Sequence, residues 1–204
     1  MPIPQVVRQE LHKRWKGPPS PYRESQSLVL GELTNYILAV QYVHPEQVAT
    51  RLSGRIKEIP RITEKVDRYG RHSVNSIEVL EELITDIVGV RVTVDYLHQV
   101  KQIKDFVVNH KRWTVIKVDD SLRDNGYRAV HIDLKTATTH FEEVRCEIQI
   151  RTLLQDAWAI WSHPLYERYR RNLTRIPKQE RALLRHISDM LHVADEMVQT
   201  LIAS

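Results

Sequence analysis

The sequence predicts an α+β fold: a mixed, mostly antiparallel β-sheet of about five strands flanked by helices, with further helices at the N- and C-terminal ends. Three observations predict it. The chain opens and closes on stretches whose apolar residues recur at helical spacing. Its middle holds short runs that alternate with period two or are continuously β-branched. Turn residues such as Asn125-Gly126 separate those runs. At 204 residues and 42% hydrophobic, the chain can bury a core and is expected to form one domain over 1–204. Within it, helices are expected over 1–50, a core over 51–165 and a last helix over 177–203.

Pro4 to Trp15 is amphipathic, and Gly17-Pro18-Pro19-Ser20-Pro21 breaks it. Tyr22 to Val43 follows as a helix with a stripe of Leu28, Leu30, Leu33, Ile37, Leu38 and Val40. Pro45 opens the next segment. Ala49 to Lys57 reads as a strand, with Arg55 and Lys57 on one side as a clamp for a polyphosphate. After Pro60 a short helix puts Ile62, Val66 and Tyr69 on one side and Lys65 on another, and Gly70 ends it.

Residues 73–85 read as a helix leading into the strand Asp86 to Asp95, the clearest buried strand in the chain. Asp86 and Arg91 are costly to bury there. Either they meet water, at a strand end and at a sheet edge, or they bind something.

Tyr96 to His110 is an amphipathic helix and Trp113 to Val118 a strand. A polar loop through Arg123 and Asn125 delivers a strand from Tyr127 to Leu134, with Tyr127, His131 and Asp133 on one face. Tyr127, directly after a glycine loop, reads as an exposed ring able to stack on a nucleobase, or as an ordinary strand-end tyrosine. Beyond a Thr-rich turn at Thr136 to Thr139, the strand Val144 to Thr152 sets Glu147, Gln149 and Arg151 on one face and Cys146, Ile148 and Ile150 on the other. In the next helix Leu154, Trp158 and Trp161 share a face and are expected in the core, and Pro164 is expected to end or kink it. The helix from Pro177 to Ala203 carries a stripe wide enough to cover the sheet or join a second subunit.

Thirty Lys plus Arg against 26 Asp plus Glu give a net charge of +4, concentrated at Arg55 to Arg71 and at Arg168 to Arg181. Such clusters attract phosphates, or are solvated helix faces. The single cysteine, Cys146, excludes an internal disulfide framework and a multi-cysteine metal site. With no leader pattern and no run of membrane-spanning length, a soluble, cytoplasmic protein is expected, with no membrane partner. There is no Gly-x-x-x-x-Gly-Lys loop, no His-Glu-x-x-His and no Gly-x-Ser-x-Gly, so Walker-type, zinc-protease and elbow-serine chemistries lack their residues. Asp86 and Glu147 could together hold Mg²⁺ if their strands are neighbours. Arg55, Lys57, Lys65, Arg91 and Arg151 would then neutralise phosphate charge. That set describes phosphoryl or pyrophosphoryl transfer.

Arg55-Ile56-Lys57 with Lys65 eight residues on, Asp86 to Arg91, Asn125-Gly126-Tyr127 through His131, Glu147-Ile148-Gln149-Ile150-Arg151-Thr152 and then Trp158-Ala159 occur in one order. This series resembles the RelA/SpoT-type (p)ppGpp synthetase domain, and the length is that of a stand-alone small alarmone synthetase with no hydrolase half. The resemblance implies a nucleotidyltransferase-like synthetase fold and Mg²⁺-dependent transfer of pyrophosphate from ATP to the ribose 3′-hydroxyl of GDP or GTP. It implies that Asp86 and Glu147 are catalytic and bind the metal; Glu147 could also help take the 3′-hydroxyl proton, a general-base role that needs only hydrogen-bond reach. Arg55 and Arg91 would sandwich the adenine, and Lys57 and Lys65 would contact the donor phosphates. Tyr127, His131, Gln149 and Asn125 would serve the acceptor, and Arg151 a phosphate or the site's structure.

The chain departs from the family pattern in three places. The loop before Tyr127 is short, leaving Arg123 as the substitute for a guanosine-phosphate lysine. Ser162-His163 stands in place of Glu-His, and about five residues are inserted between Lys65 and Asp86. Two further readings therefore stay open: a toxic relative that pyrophosphorylates the 3′ end of tRNA or an adenosine nucleotide and is paired with an antitoxin protein, and an inactive nucleotide or RNA sensor. A homo-oligomer is expected from the terminal stripe.

Overall fold

The computed structural model describes residues 3–44, 51–69, 74–120, 122–139, 143–172 and 174–203. Two N-terminal helices, α1 (Gln5–Lys16) and α2 (Pro21–Val43), precede strand β1 (Arg51–Ile56). Helices α3 (Ile59–Tyr69) and α4 (Ile77–Leu83) lead to β2 (Val88–Val94). Then come α5 (Leu97–Asn109), β3 (Trp113–Asp119), β4 (Val130–Thr136), β5 (Val144–Thr152), α6 (Leu153–Arg171) and α7 (Lys178–Ala203). The sheet order is β1-β2-β5-β4-β3. Only β2 and β5 run parallel, and the other pairs are antiparallel. This is the mixed five-stranded sheet the sequence predicts.

Alternation divides the sheet into two faces. Val88, Val90, Val92, Cys146, Ile148 and Ile150 are all but fully buried. They form one core with Val29, Leu33 and Ile37 of α2 and Ile103 and Val107 of α5. Ile132 and Leu134 of β4 extend that layer at 0% exposure. The opposite face carries Arg55, Arg91, Glu147, Gln149, His131 and Asp133, and α6 crosses its β5–β2 side.

Local signals fix the helix starts. Ser20 caps α2 by accepting the Arg23 N–H, with Pro21 in the first turn. A reciprocal capping box between Thr152 and Gln155 starts α6 directly from β5.

Several expectations are corrected. The strand expected from Ala49 is described from Arg51, with Pro45, Ala49 and Thr50 outside the described residues, as are Gly70 and residue 73. The helix expected over 73–85 is α4, capped at Ser76, so Asp86 lies in the turn before β2 rather than in the strand. Arg91 is on an interior strand, not at a sheet edge. Tyr127 precedes β4 and is half-buried rather than exposed. Tyr69 is 45% and Trp161 63% exposed. The buried stripe of α6 runs through Trp158 and Ser162, four residues apart, which turns Trp161 outward. α6 continues through Pro164 to Arg171. Contacts on both sides hold it: Trp158 Nε1 donates to the Leu184 carbonyl at 2.8 Å, and Arg170 pairs with Glu64 at 3.1 Å.

α7 packs on α6 and α5 but leaves Leu183, Met190, Met197 and Leu201 between 61% and 73% exposed. Cys146 is a free, buried thiol. Among the described residues, no helix is long and apolar enough to cross a membrane.

Candidate active site

The site grows from the parallel β2/β5 pair. Gly89 lies opposite Glu147 and Arg91 opposite Gln149, so the turn holding Asp86 abuts the strand carrying Glu147. On the far edge of β2, antiparallel β1 places Arg55 opposite Gly89. The Arg55 side chain lies over Gly89, where a Cβ would make ordinary contact with it at 3.6 and 3.7 Å.

Asp86 sits between two lysines. Lys57 Nζ donates to Oδ2 and Lys65 Nζ to Oδ1, the latter at 2.8 Å. Burial alone would raise the Asp86 pKa, but the hydrogen bonds from Lys57 and Lys65 hold the carboxyl below its ordinary value. Burial also lowers the Lys57 pKa, against the pull of Asp86.

Glu147 is held by an imidazole and an amide. His131 Nδ1 lies 2.9 Å from Oε1, and Gln149 Nε2 donates to Oε2 at 2.6 Å. Here too burial pushes the carboxyl up, and His131 and Gln149 together bring it below the ordinary value. An ionised Glu147 can only accept, which makes Nδ1 a donor nitrogen of His131; in the neutral imidazole Nε2 then accepts from the Tyr127 hydroxyl at 2.8 Å. Arg151 closes the ring. Its Nη2 donates to the Tyr127 oxygen and, at 2.9 Å, to Gln149 Oε1, and its guanidinium lies 5.0 Å from the Tyr127 ring centre. Two donor chains thus run from Arg151 to Glu147.

The Asn-Gly turn presents Tyr127. Asn125 Oδ1 accepts the Tyr127 N–H at 3.0 Å, and Gly126 takes φ +91°. α7 grips the turn from behind, where Ser188 Oγ donates to the Gly126 carbonyl and Arg128 pairs with Asp189 at 2.8 Å.

Two adjoining clefts open on this face. One, of about 540 Å³, is lined by Arg55, Arg91, Asn125, Tyr127, Gln149 and Arg151, with a wall of α6 residues from Trp158 to Tyr166. The other, of about 610 Å³, is lined by Lys57, Lys65, Asp86, Arg61, Arg68 and Arg170, and shares Arg55 and His163 with the first. Both volumes suit a nucleotide-sized ligand. The structure therefore brings Arg55, Arg91, Tyr127, Asn125, Gln149 and Arg151 to one cleft and Lys57, Lys65 and Asp86 to the next. Glu147 and His131 line neither cleft and are joined to the first through hydrogen bonds with Gln149 and the Tyr127 hydroxyl. Arg123 does not join them: it pairs with Asp119.

Among the described residues no group of three or more His, Cys, Asp or Glu is placed to hold a metal ion. Two carboxylates that raise each other's energy, set among cations, still fit a hard divalent ion whose other ligands are water and phosphate.

Sequence reasoning missed Asp156, which pairs with Arg151 at 3.1 Å and Arg91 at 3.5 Å. An acid in the first turn of a helix leaving an arginine-tipped strand was the available signal. It also missed the α6 wall and Ser188, for which local pattern offers none.

Comparison with known proteins bears on the family and the fold. The family model described as a region found in RelA / SpoT proteins matches residues 54–172. GTP pyrophosphokinase YjbM of Bacillus subtilis is 28% identical over 192 residues, 90% of this chain and 86% of that protein. GTP pyrophosphokinase YwaC of Bacillus subtilis is 27% identical over 168 residues, 78% of each. The crystal structure of small alarmone synthetase 1 from Bacillus subtilis bound to its product pppGpp superposes with a TM-score of 0.79 at 25% identity, covering 94% of this chain and 97% of that one.

Proposed function

The chain belongs to the RelA/SpoT family, and we propose that it transfers the β,γ-pyrophosphate of ATP to the ribose 3′-hydroxyl of GDP or GTP. One observation carries this reading: at the β2/β5 junction a lysine-held carboxylate, Asp86, adjoins a second, Glu147, fixed by hydrogen bonds from His131 and Gln149. The relatives named GTP pyrophosphokinase and the synthetase crystallised with pppGpp support the guanosine acceptor.

On this reading Arg55 and Arg91 face the donor base, and Lys57 and Lys65 exchange Asp86 for the donor phosphates. Tyr127 stacks on the acceptor base, with Asn125, Gln149 and His131 beside it, while Arg123 acts only from outside the cleft. Asp86 and Glu147 would hold Mg²⁺, which when bound supplies neutralising charge to the donor phosphates. The 3′-oxygen bonds to the β-phosphorus, the bond from that phosphorus to the AMP oxygen breaks, and AMP leaves. Glu147 accepts the hydroxyl proton. A carboxyl held below its ordinary pKa is a weak base, so positioning and charge dispersal carry most of the acceleration.

Transfer to tRNA is less supported. In the basic segment that would guide RNA, Arg168 pairs with Glu180 and Arg170 with Glu64 and Glu167. The exposed apolar seam of α7 supports a homo-oligomer, and the nucleotide substrates a cytoplasmic location. The test is purified protein with labelled ATP and Mg²⁺, offered GDP, GTP, adenosine nucleotides or tRNA. Label is expected in a guanosine tetra- or pentaphosphate. Label in tRNA or an adenosine nucleotide alone would replace the acceptor, and no transfer at all would leave a nucleotide sensor.

A further inference from the structure

Asp156 belongs to neither substrate side. It sits in the first turn of α6, a position fixed by the Thr152/Gln155 capping box, and Thr152 is itself held by the buried Asp195 of α7 at 2.7 Å. Its Oδ1 serves two guanidiniums: Arg151 Nη1 at 3.1 Å and Arg91 Nη1 at 3.5 Å. The three groups are well enclosed, with side-chain exposures of 17% for Asp156, 6% for Arg151 and 35% for Arg91. Two like charges so near each other in a cleft repel unless an anion stands between them. Asp156 is that anion.

The two arginines have separate further business. Arg91 lines the 540 Å³ cleft together with Arg55. Arg151 is the donor at the root of both chains that reach Glu147, and it covers the Tyr127 ring. Each also keeps a buried Nε with no hydrogen-bond partner among the described residues.

We propose that Asp156 is a positioning residue that couples the donor and acceptor sides: a nucleotide ordering Arg91 pulls Asp156 toward one geometry, and Asp156 transmits it through Arg151 to Tyr127. This rests on the transfer reading above. The coupling is reciprocal, so each nucleotide tightens the other by the same factor.

The experiment is calorimetric titration of the α,β-methylene analogue of ATP with Mg²⁺, in the absence and presence of saturating GDP. For the wild type, GDP is expected to tighten the analogue by about fivefold or more. In Asp156→Asn the factor should fall below about twofold. Asp156→Glu, which keeps the charge, should restore most of it. Tyr127→Phe, which cuts the path one link further on, should lower the factor in a protein whose packing is otherwise kept, and stands in should Asp156→Asn not fold. Steady-state kinetics should show the Asp156→Asn loss mainly in the KM of both substrates rather than in kcat. Undiminished coupling in Asp156→Asn, or a wild type that binds both nucleotides independently, overturns the inference alone. A wild type that fails to bind one of them overturns the transfer reading and the inference with it.

Discussion

The lysine side and the tyrosine side of the site hold equivalent groups, a half-buried carboxylate each, by opposite means. Asp86 is neutralised by two mobile ammoniums, Lys57 and Lys65. Glu147 is fixed by His131 and Gln149 within a closed ring of directional hydrogen bonds. Ammoniums on flexible stems can be traded for another charge, whereas a ring whose members are each oriented by the next resists rearrangement. One side is built to exchange partners and the other to keep a shape.

Paired substitutions at the two carboxylates break the comparison most strongly. Asp86→Asn and Glu147→Gln should each lower kcat by at least about 10²-fold, measured as transfer from labelled ATP. Asp86→Asn should in addition lower the melting temperature, because it leaves Lys57 and Lys65 facing each other without an anion. Glu147→Gln, which can still hydrogen-bond to His131, should melt within a few degrees of the wild type. Full turnover in Glu147→Gln would remove its role as base, and equal melting of the two variants would erase the distinction drawn here.

Tyr127 separates ring from hydroxyl. Tyr127→Ala should weaken acceptor binding by about 10-fold or more, through loss of a stacking surface typically worth about 1–3 kcal/mol. Tyr127→Phe keeps the ring and loses the hydroxyl's bonds to His131 and Arg151, neither of which is a contact to the acceptor base, so it should cost acceptor affinity at most about threefold. If the phenylalanine protein binds as poorly as the alanine one, the hydroxyl ring rather than stacking governs that side.

The support behind the tyrosine side is tested at Gly126. Its φ of +91° disfavours any side chain, and a Cβ there would meet Ser188 Cβ at 2.8 Å and the Arg185 backbone at 3.0 Å. Gly126→Ala should destabilise by about 1–3 kcal/mol in urea titration, and an unchanged midpoint would show that α7 yields freely.

The smallest effect lies at Asp133, opposite Glu147 on the β4/β5 pair. Burial first, and then the Glu147 charge, raise its pKa. A carboxyl raised in the folded state binds its proton more tightly there, so its contribution favours folding at low pH and turns against it as pH rises through the folded value. Asp133→Asn should therefore stabilise the ligand-free protein at neutral pH by about 0.2–1 kcal/mol, with the gain vanishing below about pH 4. Destabilisation at pH 7 would contradict the assigned repulsion.

The same contrast explains what the sequence makes legible. The faces of β2 and β5 follow from period-two alternation, and that alone puts Glu147, Gln149 and Arg151 together. The lysine side is local too, since Lys57 lies in the short β1–α3 connection and Lys65 within α3. The hydrogen-bond ring needs β4 beside β5, a tertiary fact. The exposure of Trp161 and the passage of α6 through Pro164 depend on what packs against that helix. Asp156 and Ser188 act through contacts that no spacing announces. The ordering of the strands, which decides that Asp86 and Glu147 meet, is invisible in any single segment.

The lone parallel pair in the sheet also sets an order of events. All of α5, β3 and β4 lies between β2 and β5, so their pairing closes a long loop and must wait until that intervening chain has been made. During synthesis β1 and β2 can already form their antiparallel pair while Glu147 is still unmade. An emerging chain therefore displays lysines and Asp86 before it owns Glu147, and the two carboxylates adjoin only once β5 has entered the centre of the sheet.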